Sequence, residues 1–269
     1  MDILHKIIAN KRSEVASQKE YMPLNTLINT NVRQFERQVR SMRKALANSS
    51  SGIIAEFKRK SPSKGWIFPD AKIEDVVPAY ETGGASACSV LTDMDFFGGT
   101  LEDIVCAREL VNMPLLRKDF IIDEYQIYQA RAMGADSILL IASVLTPKEC
   151  LQFARKAQEL NMNVLLEIHR IEEMRNFNLH IDMLGVNNRN LGTFDTSVNN
   201  SFEILEQMKK ETGAGENAPL LISESGLSDV QTIKELRNAG FQGFLIGEMF
   251  MKTPNPGKTL RDLISLLAV

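Results

Sequence analysis

The chain has little of what holds small secreted or metal-dependent proteins together. Its 269 residues include three cysteines, three histidines and a single tryptophan. Cys88, Cys106 and Cys150 form an odd set without CxxC spacing. That argues against a disulfide framework or a zinc site and fits reduced thiols. No His/carboxylate spacing suggests a metal site, so no metal ligand is assigned. Long apolar runs are missing too, so nothing is expected to span a bilayer. The N-terminal MDILHKIIANKRSEV spreads its charges where a secretory signal would be apolar. Nor is there a basic excess: 31 Lys and Arg face 34 Asp and Glu, a net charge of −3. A nucleic-acid partner is therefore not expected. What remains is a soluble cytoplasmic globular protein, 44% hydrophobic, able to fill one large core or two modest ones.

What is present is periodicity. Residues 1–48 read as a helical extension. Ile3, Leu4, Ile7, Ile8 and Val15 recur near helical spacing, Met22-Pro23 interrupts them, and a second helix is predicted from about Val32 to Ala47. After the loop NSSSG, short apolar runs alternate with amphipathic helices. The runs are IIAEF from Ile53, ACSVL from Ala87, PLLR from Pro114 and SILLI from Ser137. They continue with NVLLEI from Asn163, DMLGV from Asp182, PLLIS from Pro219 and GFLIG from Gly243. Aliphatic runs separated by helices read as parallel strands buried on both faces. Gly83, Gly134 and Gly240 stand where intervening helices are expected to stop on a left-handed residue. Eight such units predict an α/β fold, a (β/α)8 TIM barrel with an N-terminal helical extension, 1–269 forming a single domain. A doubly wound open sheet is the alternative. No Gly-rich dinucleotide fingerprint follows the first run, which counts against its Rossmann form.

In such a barrel, functional groups project from the C-terminal ends of the strands. Those ends carry Glu56 and Lys58 on one face of the first run, Lys118 on the third, and Glu167 with His169 on the fifth. Asn187 followed by Arg189 ends the sixth, Glu224 and Ser225 the seventh, and Gly247 the eighth. Any one of these fits a buried ion pair or a solvated strand end. Their convergence on one rim does not, because burying so many ionisable groups is costly unless a polar ligand or a reaction compensates. The cations suit carboxylates or phosphates, and the acids and bases can move protons.

A phosphate grip is expected beside them. SESG (Ser223 to Gly226) closes the seventh run and LIGE (Leu245 to Glu248) the eighth, and loops in those places bind phosphate through backbone N–H groups. For the glycines alone, ordinary tight turns are the simpler account. Lys60 and Ser61, in RKSPSKG, add donors without the spacing of a Walker loop. His5 and His180 read as surface residues. Ser223 and Ser225 lack a histidine placed as a base, which discounts a serine hydrolase.

The stretch IIAEFKRKSPSKG, Ile53 to Gly65, closely resembles the signature of the indole-3-glycerol-phosphate synthase family in the spacing of its Glu, two Lys and Ser-Pro. The likeness continues through LLRKDF (Leu115 to Phe120), LLEIH (Leu165 to His169), GVNNRNLGTF (Gly185 to Phe194), SESG, LIGE and the N-terminal ILHKIIANKRSEV. It covers nearly the whole chain. The resemblance implies a carboxy-lyase of tryptophan biosynthesis acting on 1-(2-carboxyphenylamino)-1-deoxyribulose 5-phosphate. Ring closure, decarboxylation and dehydration then give indole-3-glycerol phosphate, carbon dioxide and water, with no cofactor. No fused phosphoribosylanthranilate isomerase domain is expected.

Residue by residue, the resemblance implies Lys118 as general acid at the ketone oxygen and Lys58 as the group steering the substrate carboxylate. It implies Glu167 in the dehydration and Glu56 and Glu224 as supporting carboxylates. Asn187 and Arg189 match a substrate-binding polar pair, and Lys60, Ser225, Gly226 and Gly247 the phosphate grip, which Ser61 supplements. Phe97, Phe120 and Leu139 match the wall around the anthranilate ring. Glu248 departs from members that have Ser there, and its carboxylate is expected to turn away from the phosphate or weaken binding. The loop 59–70 is expected to act as a lid.

Two other readings stay open on the residues. A Schiff-base aldolase on the same barrel would use Lys118 or Lys58 as nucleophile. A phosphosugar-binding barrel without activity would keep the grip but has no use for Glu56, Lys58, Lys118 and Glu167 together. The sequence leaves open the oligomeric state; a monomer and association with other tryptophan-pathway enzymes are both compatible with it. It also leaves the sign of any pKa shift at Lys118 open, because a nearby cation lowers it and neighbouring glutamates raise it.

Overall fold

The computed structural model describes residues 3–190, 195–211 and 219–268, apart from the side chains of 209–211. Leu191 to Phe194, the end of the GVNNRNLGTF stretch, lie outside the described residues. Eight strands form the centre: β1 (Ile53–Phe57), β2 (Ala87–Leu91), β3 (Leu115–Lys118), β4 (Ser137–Ile141), β5 (Asn163–Ile168), β6 (Met183–Asn187), β7 (Leu220–Glu224) and β8 (Gly243–Ile246). Each pairs in parallel with its neighbours in chain order, and β8 pairs with β1, so the sheet closes into a barrel. Helices occupy the intervals where the alternating pattern predicted them, and between β5 and β6 there is a short 3-10 helix, Ile171–Asn176. The open doubly wound sheet is thereby excluded.

The apolar runs follow from burial on both faces. One parity points inward: Ile54, Ala87, Leu116, Leu139, Leu165, Met183, Ile222 and Leu245 pack together inside the barrel. The other parity, including Ile53, Cys88, Leu115, Ile138, Val164, Leu184 and Phe244, packs against the helices. Each such side chain contributes about 1.5–3 kcal/mol when fully buried. Capping boxes at Thr100, Asp123 and Thr146 satisfy the first N–H groups of the helices Leu101–Leu110, Glu124–Ala132 and Pro147–Glu159.

The extension differs from expectation in its second half. The predicted helix from Val32 to Ala47 is two helices, Val32–Glu36 and Met42–Ala47, preceded by a short one, Leu24–Thr30. The break has a physical cause in the barrel below it. The Arg37 guanidinium donates to Asp136 at 2.8 Å and to the carbonyls of Gly134 and Ala135, and the Arg40 N–H also donates to Asp136 at 2.9 Å. Those tertiary bonds hold the segment extended. Beyond it, Met42 and Leu46 join the inner core and close the N-terminal end of the barrel. Helix Ile3–Tyr21 crosses the opposite end, where Ile3, Leu4 and Ile7 overlie the strand C-termini.

One of the three helix stops also shifts by one residue. Gly134 and Gly240 take positive φ (89° and 127°), but Gly83 is right-handed at −73° and Gly84 provides the left-handed step at 95°. Among the described residues, no helix is long and apolar enough to cross a membrane. None of their His, Cys, Asp and Glu groups is arranged to hold a metal ion.

Candidate active site

The C-terminal mouth of the barrel opens into a cavity of about 930 Å³. Glu56, Lys58, Ser61, Lys118, Glu167, Asn187 and Arg189 line it, as do Ser225, Gly226 and Gly247. Phe97, Phe120 and Leu139 line it as well. Glu224 lies one step deeper, beneath Lys118, and is 1% exposed.

The charged groups are paired across strands. Lys118 at the end of β3 reaches the centre, its Nζ 3.1 Å from Glu167 on β5 and 3.5 Å from Glu224 on β7. Lys58, just past β1, pairs with Glu56 at 2.6 Å. The side chain of Asn187 hydrogen-bonds Glu167 and accepts the Arg189 N–H at 3.0 Å. His169 sits behind Glu167, its Nε2 3.3 Å from Oε1, and is itself backed by Glu173. It is therefore a support for the carboxylate and does not line the cavity.

Two glycines make room for this cluster. A Cβ on Gly185 would lie 2.1 Å from Glu224 Oε1, and one on Gly247 would lie 2.5 Å from Glu56 Oε1. Any larger residue there would push a glutamate out of place.

The protonation pattern follows from burial and neighbours. Burial alone would lower the Lys118 pKa, but Glu167, Glu224 and Glu56 outweigh it and the pKa is raised. That direction answers the sign that the sequence left open. Glu167 is held below the ordinary carboxylate range: burial opposes this, but Lys118 and His169 prevail. Glu224 is pushed up to about 8, by burial first and then, against the pull of Lys118, by the negative charge of Glu167 and Glu56. The ammonium thus has one ionised carboxylate and one carboxyl poised to carry a proton near neutral pH.

The other side of the mouth suits an anion. Ser225 follows β7 with φ 65° and Gly226 follows with φ 75°. A positive φ is strained for serine and is characteristic of functional turns. Asn188 holds this turn: its Nδ2 donates to Ser223 Oγ and to the Ser225 carbonyl, both at 3.0 Å. Sequence reasoning passed over Asn188, and the only signal was its place in the Asn187-Asn188-Arg189 run. Ser61 is buried, and its Oγ finds no protein partner.

Lys60 departs from expectation. In the hairpin that pairs Lys60–Ser61 with Gly65–Trp66, Ser61 faces the cavity and Lys60 faces away. The Lys60 ammonium donates to the Asp95 carbonyl at 2.7 Å and lies over the Trp66 ring. The cation this loop gives to the cavity is Lys64. Of the two outcomes expected for Glu248, turning away or weakening phosphate binding, the first does not hold. Its carboxylate lines the cavity and pairs with Lys64, Arg189 and Lys252.

The apolar wall has a contributor that strand-end reasoning could not find. The Phe97 and Phe120 rings stand 6.0 Å apart, and Ile3, Leu4 and Ile7 of the extension complete the lining. Their helical stripe was visible in the sequence, but its target was not.

A parallel eight-stranded barrel with paired lysines and glutamates, a left-handed turn and an aromatic wall at its C-terminal mouth belongs to the class of barrel enzymes. The family model described as indole-3-glycerol phosphate synthase matches residues 4–263. A protein of that name from Bacteroides thetaiotaomicron is 54% identical over 266 residues, covering 99% of each chain. Another from Laribacter hongkongensis is 41% identical, covering 98% of this chain and 99% of the other. A third, from Neisseria meningitidis serogroup B, is 42% identical over 93% of this chain and 95% of the other. The chain belongs to the indole-3-glycerol phosphate synthase family. Among solved structures, thiamine phosphate pyrophosphorylase from Pyrococcus furiosus superposes with a TM-score of 0.57 over 82% of this chain and 96% of its own. At 15% identity it shares the fold alone.

Proposed function

We propose that this mouth carries out the synthase reaction, closing the indole ring of the carboxyphenylamino sugar phosphate with loss of carbon dioxide and water. The observation that carries the reading is the placement of Lys118 between Glu167 and Glu224, with an apolar wall and an anion-binding turn on opposite arcs of the same ring. Phe97, Phe120 and Leu139 follow or lie on β2 to β4, while Ser225, Gly226 and Gly247 follow β7 and β8. A substrate with an aromatic acid at one end and a phosphate at the other spans that ring, which puts its ketone over the centre.

Lys118 faces the ketone oxygen. As the aromatic carbon bearing the carboxylate attacks the ketone carbon, negative charge develops on that oxygen and the ammonium stabilises it. The alkoxide is a stronger base than the amine, so proton transfer from Nζ runs downhill despite the raised lysine pKa. Lys58, steered by Glu56, holds the substrate carboxylate until carbon dioxide leaves and the ring regains aromaticity. Dehydration then expels the hydroxyl with a proton from Lys118, recharged through Glu224. Glu167, oriented by Asn187 and His169, takes the proton from the carbon beside nitrogen. Ser61, Arg189, Lys64 and the 225–226 and 247 backbone hold the phosphate. Residues 3–268 act as one domain in this reading, because the extension walls the site.

Incubation with the carboxyphenylamino sugar phosphate tests it, by indole fluorescence and released carbon dioxide. Turnover supports the reading. Binding without product would leave only the inactive phosphosugar barrel, and a borohydride-trapped adduct with a keto-sugar phosphate would favour the aldolase.

A further inference from the structure

One carboxylate in the mouth has no part in that chemistry and yet holds most of its free positive charge. Glu248 opens the short helix after β8, and three cations from three segments converge on it. Lys64, from the loop after β1, lies 2.9 Å from Oε1; Arg189, after β6, lies 3.3 Å from Oε2; and Lys252 closes on it from one turn ahead. Arg189 is held from two further directions, donating to Ser63 Oγ at 3.2 Å and Thr196 Oγ1 at 3.3 Å. All six of these residues line the cavity. Burial opposes ionisation of Glu248, but Lys252 and Lys64 hold its pKa down to about 2, so it is an anion at every working pH.

We propose that Glu248 is an internal counter-anion of the phosphate grip, which competes with the incoming phosphate for Lys64 and Arg189 and straps the loops after β1 and β6 to β8. The inference rests on the reading of this mouth as the phosphate end. A carboxylate and a phosphate are both acceptor-only anions, so Lys64 and Arg189 cannot serve both in full. A dianionic phosphate outbids a single carboxylate; a neutral or singly charged sugar end does not. The strap therefore selects for the phosphorylated end of the substrate, and its exchange re-anchors the 61–65 loop on the ligand.

Calorimetric titration with inorganic phosphate tests this in the full chain. Glu248→Gln keeps the size and removes the charge, and it should bind phosphate about three- to tenfold more tightly than the native chain. The gain should shrink as salt is raised, and Glu248→Asp, which keeps the charge, should not reproduce it. A residue that merely braced the cations would give the opposite sign, so equal or weaker binding by Glu248→Gln overturns the proposal. Arg189→Ala separates the two layers of the argument. If it weakens phosphate binding while Glu248→Gln changes nothing, only this proposal falls. If it leaves affinity unchanged, the phosphate reading falls and the proposal with it.

Discussion

Lys11 and Lys118 are both lysines ringed by carboxylates, yet the two clusters have different fates. Lys11 sits on the extension helix with Glu14 at 2.7 Å, Asp93 at 3.0 Å and Asp119 at 2.9 Å, and its side chain is 0% exposed. Lys118 has Glu167 and Glu224, is 15% exposed and lines the cavity. In both, neighbouring carboxylates overcome the effect of burial and raise the lysine pKa. The clusters even adjoin, because Asp119 follows Lys118 and turns the other way. The difference lies in how tightly each cluster is held and what its cation faces. Asp119 accepts from Thr92 and Arg117 as well as Lys11, so its needs are met inside the protein. Glu224 is held more loosely, 3.5 Å from Lys118 and hydrogen-bonded to Glu167. A cluster closed by short ion pairs is structural; one whose cation faces a cavity is available for chemistry.

The comparison can be broken most sharply at the two lysines. Lys118→Ala should lower kcat by about 10²–10⁴-fold with a much smaller change in substrate-analogue affinity. A loss confined to KM would move Lys118 from the chemistry to binding. Lys11→Met should do the reverse. It removes the cation shared by buried Asp93 and Asp119 and costs about 3–5 kcal/mol of stability by denaturant unfolding, with kcat per folded molecule retained. A large kcat loss in a folded Lys11→Met protein would erase the distinction.

The proton held by Glu224 predicts a pH signature of intermediate size. Its pKa rises from an ordinary 4.5 to about 8, so the native state holds a proton the unfolded chain has lost. Stability from this group is complete below about pH 4.5 and declines as pH rises through about 8. His169, also raised, declines in the same direction at the upper end, against the opposing effect of its burial. Glu224→Gln should flatten the slope between those limits in melts run across the range. An unchanged slope would mean that Glu224 is ionised in the fold.

The smallest effect concerns the loop after β1. Trp66 is 57% exposed and stacks beneath Lys60 rather than entering the cavity. Exchange of Lys64 from Glu248 to phosphate should alter Trp66 emission modestly, and constant emission at saturating phosphate would separate this loop from the strap.

Much of the barrel was legible because strands buried on both faces cannot hide their composition: eight aliphatic runs at that spacing read as parallel strands, and only closure was left to the structure. Ionisable residues at their ends stood out for the same reason, as anomalies in apolar surroundings. What could not be read depends on contacts between segments remote in the chain. The parity that sends Ser61 inward and Lys60 outward belongs to a hairpin of two-residue arms, too short to leave a pattern. The break at 37–41 is imposed by Asp136, nearly a hundred residues away. Gly185 and Gly247 look like any strand glycine until the glutamates that fill their missing side-chain space are in view.

By itself, then, the order of amino acids determined the alternation of strand and helix, the parallel sheet it implies and the identity of the acids and bases at the strand ends, because local periodicity and the cost of burying charge are properties of short segments. The tertiary structure decided which carboxylate keeps its proton, which lysine faces the cavity, that the extension walls it, and that Glu248 turns inward to three cations. Electrostatic fields and steric fit are set by distance in space, and neighbours in space here come from opposite ends of the chain.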